Sequence, residues 1–253
     1  MTIATVPVTK VQHARQARPK PPTAQGITVA TRPPAAPWPI YAIGADSGEH
    51  AAFALVRMDA EGLRLLGLWP IYGAGVLWFG RAQEAAGQAV RTLGNHIAGQ
   101  IRDDPHERSE VANAALVAHR TALTRVWIET PPSKSRKLAN GKRHTQASWI
   151  GLGRRVGALQ MAWYGASGNA AGLVEPSTWW MPWRGFGIAH GKDESTAGWH
   201  RVGEATALVQ GSAEQLAEIP KTRAVDCAES ILIAGAAARD QAGLWAPRSR
   251  ALL

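Results

Sequence analysis

Four carboxylates stand where acids are expensive. Asp46 closes the apolar run IYAIGAD, Glu129 closes TRVWIET, and Asp226 and Glu229 lie three residues apart in AVDCAESILIAGAAARD. A carboxylate at the end of a buried strand is costly to desolvate unless it is paired or binds a cation. A spacing of three puts Asp226 and Glu229 on one helix face about a turn apart. They are flanked by Ala224, Val225, Cys227, Ala228, Ile231 and Leu232, so that face is largely apolar. Four such acids brought together repel one another, and a divalent cation relieves the repulsion. Oxygen-only ligation favours Mg2+ or Mn2+ over zinc. Two such ions roughly 4 Å apart activate a water and stabilise the leaving oxygen of a phosphodiester. Taken singly, each acid has a plainer reading: Asp46 as a turn or cap residue, Glu129 as a salt-bridge partner, Asp226 and Glu229 as a pair complementing a helix dipole. Their order, strand, strand, then helix, favours the shared site.

The elements that must position them follow from periodicity. IYAIGAD, AAFALVRM and LRLLGLW read as three strands joined by the turns SGEH and DAEG, an antiparallel meander by its short connections. YGAGVLWFG reads as a glycine-rich loop. Ala86, Val90, Leu93, Ile97 and Ile101 then recur at helical spacing over residues 82–101. A turn at Pro105 and a second helix precede the strand TRVWIET. TQASWIGLGRRVGALQMAWYGA reads as a long helix whose Gly153 and Gly157 suit close packing on a neighbour, and AGLVEP as a short strand. VGEATALVQGSAEQLA is a further helix, and the segment with Asp226 and Glu229 is the last, its alanine-rich face suited to lying on a sheet. Together these describe a mixed five-stranded α/β sheet flanked by helices on both faces.

The 28 Lys and Arg exceed the 19 Asp and Glu, giving a net charge of +9. Five of the basic residues lie in residues 1–40 (Lys10, Arg15, Arg18, Lys20, Arg32) and five in SKSRKLANGKRH (Lys134, Arg136, Lys137, Lys142, Arg143), neither segment holding an acid. Removing these ten leaves 18 basic residues against 19 acidic ones, so the excess sits in two segments. Such segments favour a polyanionic partner over a merely solvated surface. Residues 1–39 are proline-rich without an apolar period and read as a disordered basic arm, 40–240 as the folded domain, and 241–253 as a flexible tail. No apolar run reaches membrane-spanning length, the first residues lack a secretory pattern, and the single Cys227 forms no internal disulfide. The expected setting is a cytoplasm, bacterial or that of a phage-infected host, with no membrane partner.

From Tyr41 to about Arg239 the chain resembles the RuvC-type Holliday junction resolvases of the RNase H-like superfamily, phage-borne members among them. The residues that carry the resemblance are IGADSG, VWIETP, the stretch from ASWIGLGRR to VEPSTWW, and AVDCAESILIAGAA. Asp226 and Glu229 match that family's D-x-x-D/E spacing. The resemblance implies an RNase H-like core and a homodimer that binds a four-way DNA junction and nicks two strands symmetrically. It further implies two Mg2+ or Mn2+ ions held by Asp46, Glu129, Asp226 and Glu229. The basic segment follows Glu129 directly, so Lys134, Arg136, Lys137, Lys142 and Arg143 are expected at phosphates beside the site, with Arg154 and Arg155 on the next helix. Two departures stand out. Thr130-Pro131-Pro132 replaces the aromatic wedge common after the fourth-strand acid, and Trp179-Trp180 stands where a lysine is usual, leaving Lys192, Arg184 or Arg201 to substitute.

Trp179, Trp180, Trp183 and Trp199 have two readings, as platforms for unpaired bases or as core or dimer filling. Within nucleases, a flap, a fork or an RNA–DNA hybrid is an open alternative substrate. From other classes come an actin-like or sugar-kinase-like ATPase, which IGADSG resembles locally but which needs a duplicated core, and a DNA-binding module without catalysis.

Overall fold

The computed structural model describes residues 39–104, 108–131, 146–180, 183 and 194–244. Apart from Pro39, the expected arm lies outside these residues, as does the tail beyond 244. Strands β1 (Ile40–Ala45), β2 (Ala52–Asp59) and β3 (Gly62–Pro70) form the expected antiparallel meander. Strand β4 (Arg125–Glu129) lies parallel to β1 on its other side, and β5 (Gly172–Val174) parallel to β4. A sixth strand, β6 (Val209–Gln210), pairs with β3, so the order is β5-β4-β1-β2-β3-β6 rather than a sheet of five.

The pleat sorts the side chains. Tyr41, Ile43 and Ala45 of β1 join Phe53, Leu55, Val126 and Ile128 in a core with helices α1 (Gly75–Arg102) and α3 (Gln146–Ser167). Full burial of an Ile, Leu or Phe side chain such as these contributes about 1.5–3 kcal/mol. Helix α2 (Glu110–Leu123), capped by the Ser109 hydroxyl accepting from the Ala112 amide, turns Leu116 and Val117 towards this core. The alternate residues of β1 face the opposite way. There Ala42 and Val56 pack with helix α7 (Lys221–Gln241), and α7 is covered in turn by Trp179, Trp180, Trp183 and Ala205. Trp179 ends the one-turn helix α4 (Pro176–Trp179), and Ala205 lies on α5 (Glu194–Leu208). The result is the mixed α/β fold with helices on both faces that the sequence led us to expect.

Three details differ from the sequence reading. Helix α1 begins at Gly75, inside the stretch read as a loop. The positive φ of Gly73 (114°) and Gly75 (57°) turns the chain before it, and Val76 and Leu77 are exposed, so no apolar period marks the first turn. The helix read over 202–217 is split into α5, β6 and α6 (Ser212–Ala217), because β3 offers an edge that pairs Leu63 with Val209 and Arg64 with Gln210. Gly153 and Gly157 have no neighbour within 4 Å of an added Cβ, so they are not close-packing positions. That role belongs to Gly44. A Cβ there would collide with the Ala234 amide nitrogen and lie 2.5 Å from the Ser230 carbonyl oxygen, so α7 rests its backbone directly on β1. Among the described residues, no helix is long and apolar enough to cross a membrane.

Candidate metal centre

Strand register brings the first two acids together. Ala42 to Ala45 of β1 pair with Arg125 to Ile128 of β4, and one step further along this parallel ladder Asp46 follows Ala45 and Glu129 follows Ile128. Ala45 and Ile128 point into the α1–α3 core, so Asp46 and Glu129 point to the α7 face. Because Gly44 lets α7 lie close, Asp226 and Glu229 descend onto the same spot. Oxygens of Asp46, Asp226 and Glu229 lie within 4.8 Å of one another.

The backbone around them is pinned. The Asp46 amide donates to the fully buried Ser230 hydroxyl at 3.1 Å, and that hydroxyl lies 3.0 Å from both the Ala52 and Asp226 carbonyl oxygens. The His50 amide donates to Asp226 Oδ2 at 3.1 Å. Between these carboxylates sits Gly48. A Cβ on it would lie 2.6 Å from Asp46 Oδ2 and 2.9 Å from Asp226 Oδ2, filling the space the acids share.

The electrostatics are those of a site short of positive charge. Burial, and then the Asp226 charge, raises Asp46 to about 7 despite opposing effects from Glu129, the Gly48 amide and Arg201. Burial and the charge of Asp46 hold Glu129 well above the ordinary carboxylate range. Asp226 is also raised, first by burial, with the His50 amide opposing. Glu129 Oε2 is buried and has no hydrogen-bond partner. Arg201 forms an ion pair with Glu229, and its guanidinium carbon lies 4.8 Å over the Trp180 ring. An all-oxygen donor set, an orphaned buried carboxylate oxygen and a cradle kept open by glycine all fit a hard divalent cation. Burial, with Asp226 and Asp46 adding to it, pushes the neighbouring Cys227 thiol up to about 12, so it stays protonated and is no nucleophile.

The remaining expected residues are distributed differently. Arg154 is exposed on α3 and Arg155 is half-buried. Lys134, Arg136, Lys137, Lys142 and Arg143 fall outside the described residues, as do Arg184 and Lys192, so of the three candidate substitutes for the family lysine only Arg201 is placed, at the acids. Trp179, Trp180 and Trp183 are buried, at 0%, 5% and 1% exposure, and serve as core rather than as base platforms. The side chain of Trp199 lies outside the described set. Gly48 and Ser230 carry no mark in the sequence that points to the site.

No protein-family profile and no curated protein matches this chain. Among solved structures, T. thermophilus RuvC in complex with Holliday junction substrate aligns at 13% identity and TM-score 0.42, covering 81% of this chain and 97% of that one. The Thermus thermophilus RuvC structure aligns at 16% identity with the same TM-score and coverages.

Proposed function

We propose that this chain is a metal-dependent endonuclease acting on branched DNA, with the four-way junction as its first candidate substrate and symmetric paired nicking by a homodimer as its mode. The observation that carries the reading is the convergence of Asp46, Asp226 and Glu229, with Glu129 beside Asp46, around a space that Gly48 keeps open. In this reading these four residues hold one or two Mg2+ or Mn2+ ions. When bound, the metal supplies activation of water and charge stabilisation at a phosphodiester. The chain's own contributions are separable from the metal's. Ser230 fixes the Asp46 backbone, the His50 amide orients Asp226, and Arg201 holds Glu229 while adding positive charge next to a site that must receive a phosphate. The segment with Lys134, Arg136, Lys137, Lys142 and Arg143, together with Arg154 and Arg155, supplies phosphate contacts that position DNA without reading its sequence. The acid-free basic segments of the sequence favour a nucleic acid over the phosphate donors of an ATPase.

The test is cleavage of a labelled four-way junction against matched duplex, flap and RNA–DNA hybrid substrates, in Mg2+ and in EDTA, for the wild type and Asp46→Asn. Paired, metal-dependent nicking of the junction, lost in the variant while binding persists, is the expected result. Binding without cutting in Mg2+ or Mn2+ defeats the nuclease reading. Faster cutting of another substrate keeps the metal site and discards the junction.

A further inference from the structure

A second concavity opens at the same end of the sheet, between the end of β3 and the first turns of α1. It has a volume of about 310 Å³, and its walls include Trp69, Tyr72, Arg81, Glu84 and Gln88. We infer that it receives one unpaired nucleobase of a bound DNA strand, an inference that rests on the nuclease reading and extends it. Four observations carry this.

Trp69 and Tyr72 supply flat aromatic surface, the feature by which proteins hold single bases regardless of sequence. Tyr72 is itself backed by a cation, with the Arg223 guanidinium carbon 4.2 Å over its ring. Opposite, Arg81, Glu84 and Gln88 follow one another at helical spacing, and the Gln88 amide lies 3.4 Å from Glu84 Oε1. That row offers both donors and acceptors to a base edge, with Arg81 available to the attached phosphate. Arg81 and Glu84 are exposed, so the core does not need them.

The concavity is also tied to the acids. The Ile71 amide donates to the Ala51 carbonyl oxygen at 2.7 Å, and the next amide back along that loop, from His50, bonds Asp226. Arg223 and Asp226 lie on successive turns of α7, separated by about 4.5 Å of helix rise. Tyr72, held by Arg223, thus lies beside the α7 turn next to the one that carries Asp226, and a strand bound as inferred runs from the acids past it. Finally, Leu77, one helical turn before Arg81, is 72% exposed, and Val76 beside it in the chain is 85% exposed. Large apolar side chains held in solvent on the helix that carries Arg81 suit contact with bases that have left their stack.

The experiment uses full-length Asp46→Asn protein with 5-iododeoxyuridine placed in turn at positions around the centre of a four-way junction, and in a short single-stranded oligonucleotide. Irradiation is followed by mass-spectrometric mapping of the cross-linked peptide. Cross-linking to Trp69 or Tyr72 from both DNAs is expected. In parallel, Tyr72→Ala and Gln88→Ala should weaken junction binding about 5- to 100-fold, while duplex binding and Mn2+ affinity change little and Tyr72→Phe retains wild-type behaviour. Cross-links that map elsewhere, or variants that lower duplex and junction binding equally, overturn the inference. If wild type cuts junctions normally yet no cross-link reaches the concavity, the base site is wrong and the nuclease reading stands. If wild type cuts nothing but the oligonucleotide cross-links at Trp69 or Tyr72, the base site stands and the nuclease reading falls.

Discussion

Asp46 and Glu129 end adjacent parallel strands, and α7 closes over both, so neither can shed its charge into water. Each holds its proton to a higher pH in the folded chain than in the unfolded one, Asp46 to about 7 and Glu129 well above its ordinary range. Between the ordinary carboxylate value near 4 and these raised values, the folded state therefore binds more protons than the unfolded state. Its stability must then fall as pH rises through that window. Metal-free wild type should lose stability from pH 5 to pH 8, at roughly 1.4 kcal/mol per pH unit for each proton involved. Asp46→Asn removes one of these protons and should show a flatter profile, and Mn2+ should restore wild type at pH 8 without restoring the variant. Urea denaturation in EDTA and in Mn2+ across this range checks the prediction, and wild-type stability that climbs with pH would mean the acids are ion-paired instead. These acids were legible in the sequence because a carboxylate closing an apolar run needs a reason. Gly48 and Ser230 were not, since an open space and a shared hydroxyl exist only after β1 and α7 have met.

The meeting of β1 with α7 is decided by Gly44. An added Cβ would collide with the Ala234 nitrogen and lie 2.8 Å from the Ile233 carbonyl carbon, so backbone rather than a flexible side chain would have to yield. Gly44→Ala should therefore push α7 off the sheet, costing at least the ~1–3 kcal/mol typical of overpacking. Because Asp226, Glu229 and Ser230 ride on that helix, Mn2+ affinity should fall along with the melting temperature. Gly153→Ala on α3, where a Cβ meets nothing within 4 Å, is the control and should match or exceed wild-type stability. Calorimetric melting and metal titration of both variants decide it, and a Gly44→Ala protein with undiminished Mn2+ affinity would show that α7 does not position the site through this approach. The contrast explains which elements could be read in advance. Strands β1, β2 and β4 announce themselves as short apolar runs, β3 by alternation, and α7 by its apolar length. The glycine that sets their distance looks like any other, while the glycine pair on α3 carries a pattern its surroundings do not use. The first turn of α1 and the break at β6 were hidden for the same reason, one being apolar but exposed and the other depending on the unpaired edge of β3.

Across the whole molecule, charge and chemistry are kept apart. The four site acids are clustered and buried or half-buried, whereas the excess positive charge of the chain lies in residues 1–40 and in the segment that follows Glu129 in the sequence. In the proposed function this separation assigns metal and polyanion to different residues, the first to short-range ligation and the second to counterion release. It makes the two bindings independently removable. Replacing Lys134, Arg136, Lys137, Lys142 and Arg143 with glutamine should weaken DNA binding and flatten the dependence of its logarithm on the logarithm of salt, by about 0.9 for each duplex phosphate that is no longer neutralised. Mn2+ affinity should stay unchanged, because the proposed centre is built from carboxylates and cationic side chains do not ligate a hard cation. Truncation of residues 1–38 supplies the comparison: if the arm shares the phosphates, the two reductions in slope add. Fluorescence anisotropy between 50 and 200 mM salt measures both. An unchanged slope in the glutamine variant would assign the DNA-facing surface elsewhere, with Arg154, Arg155 and Arg81 the exposed or half-exposed cations to replace next.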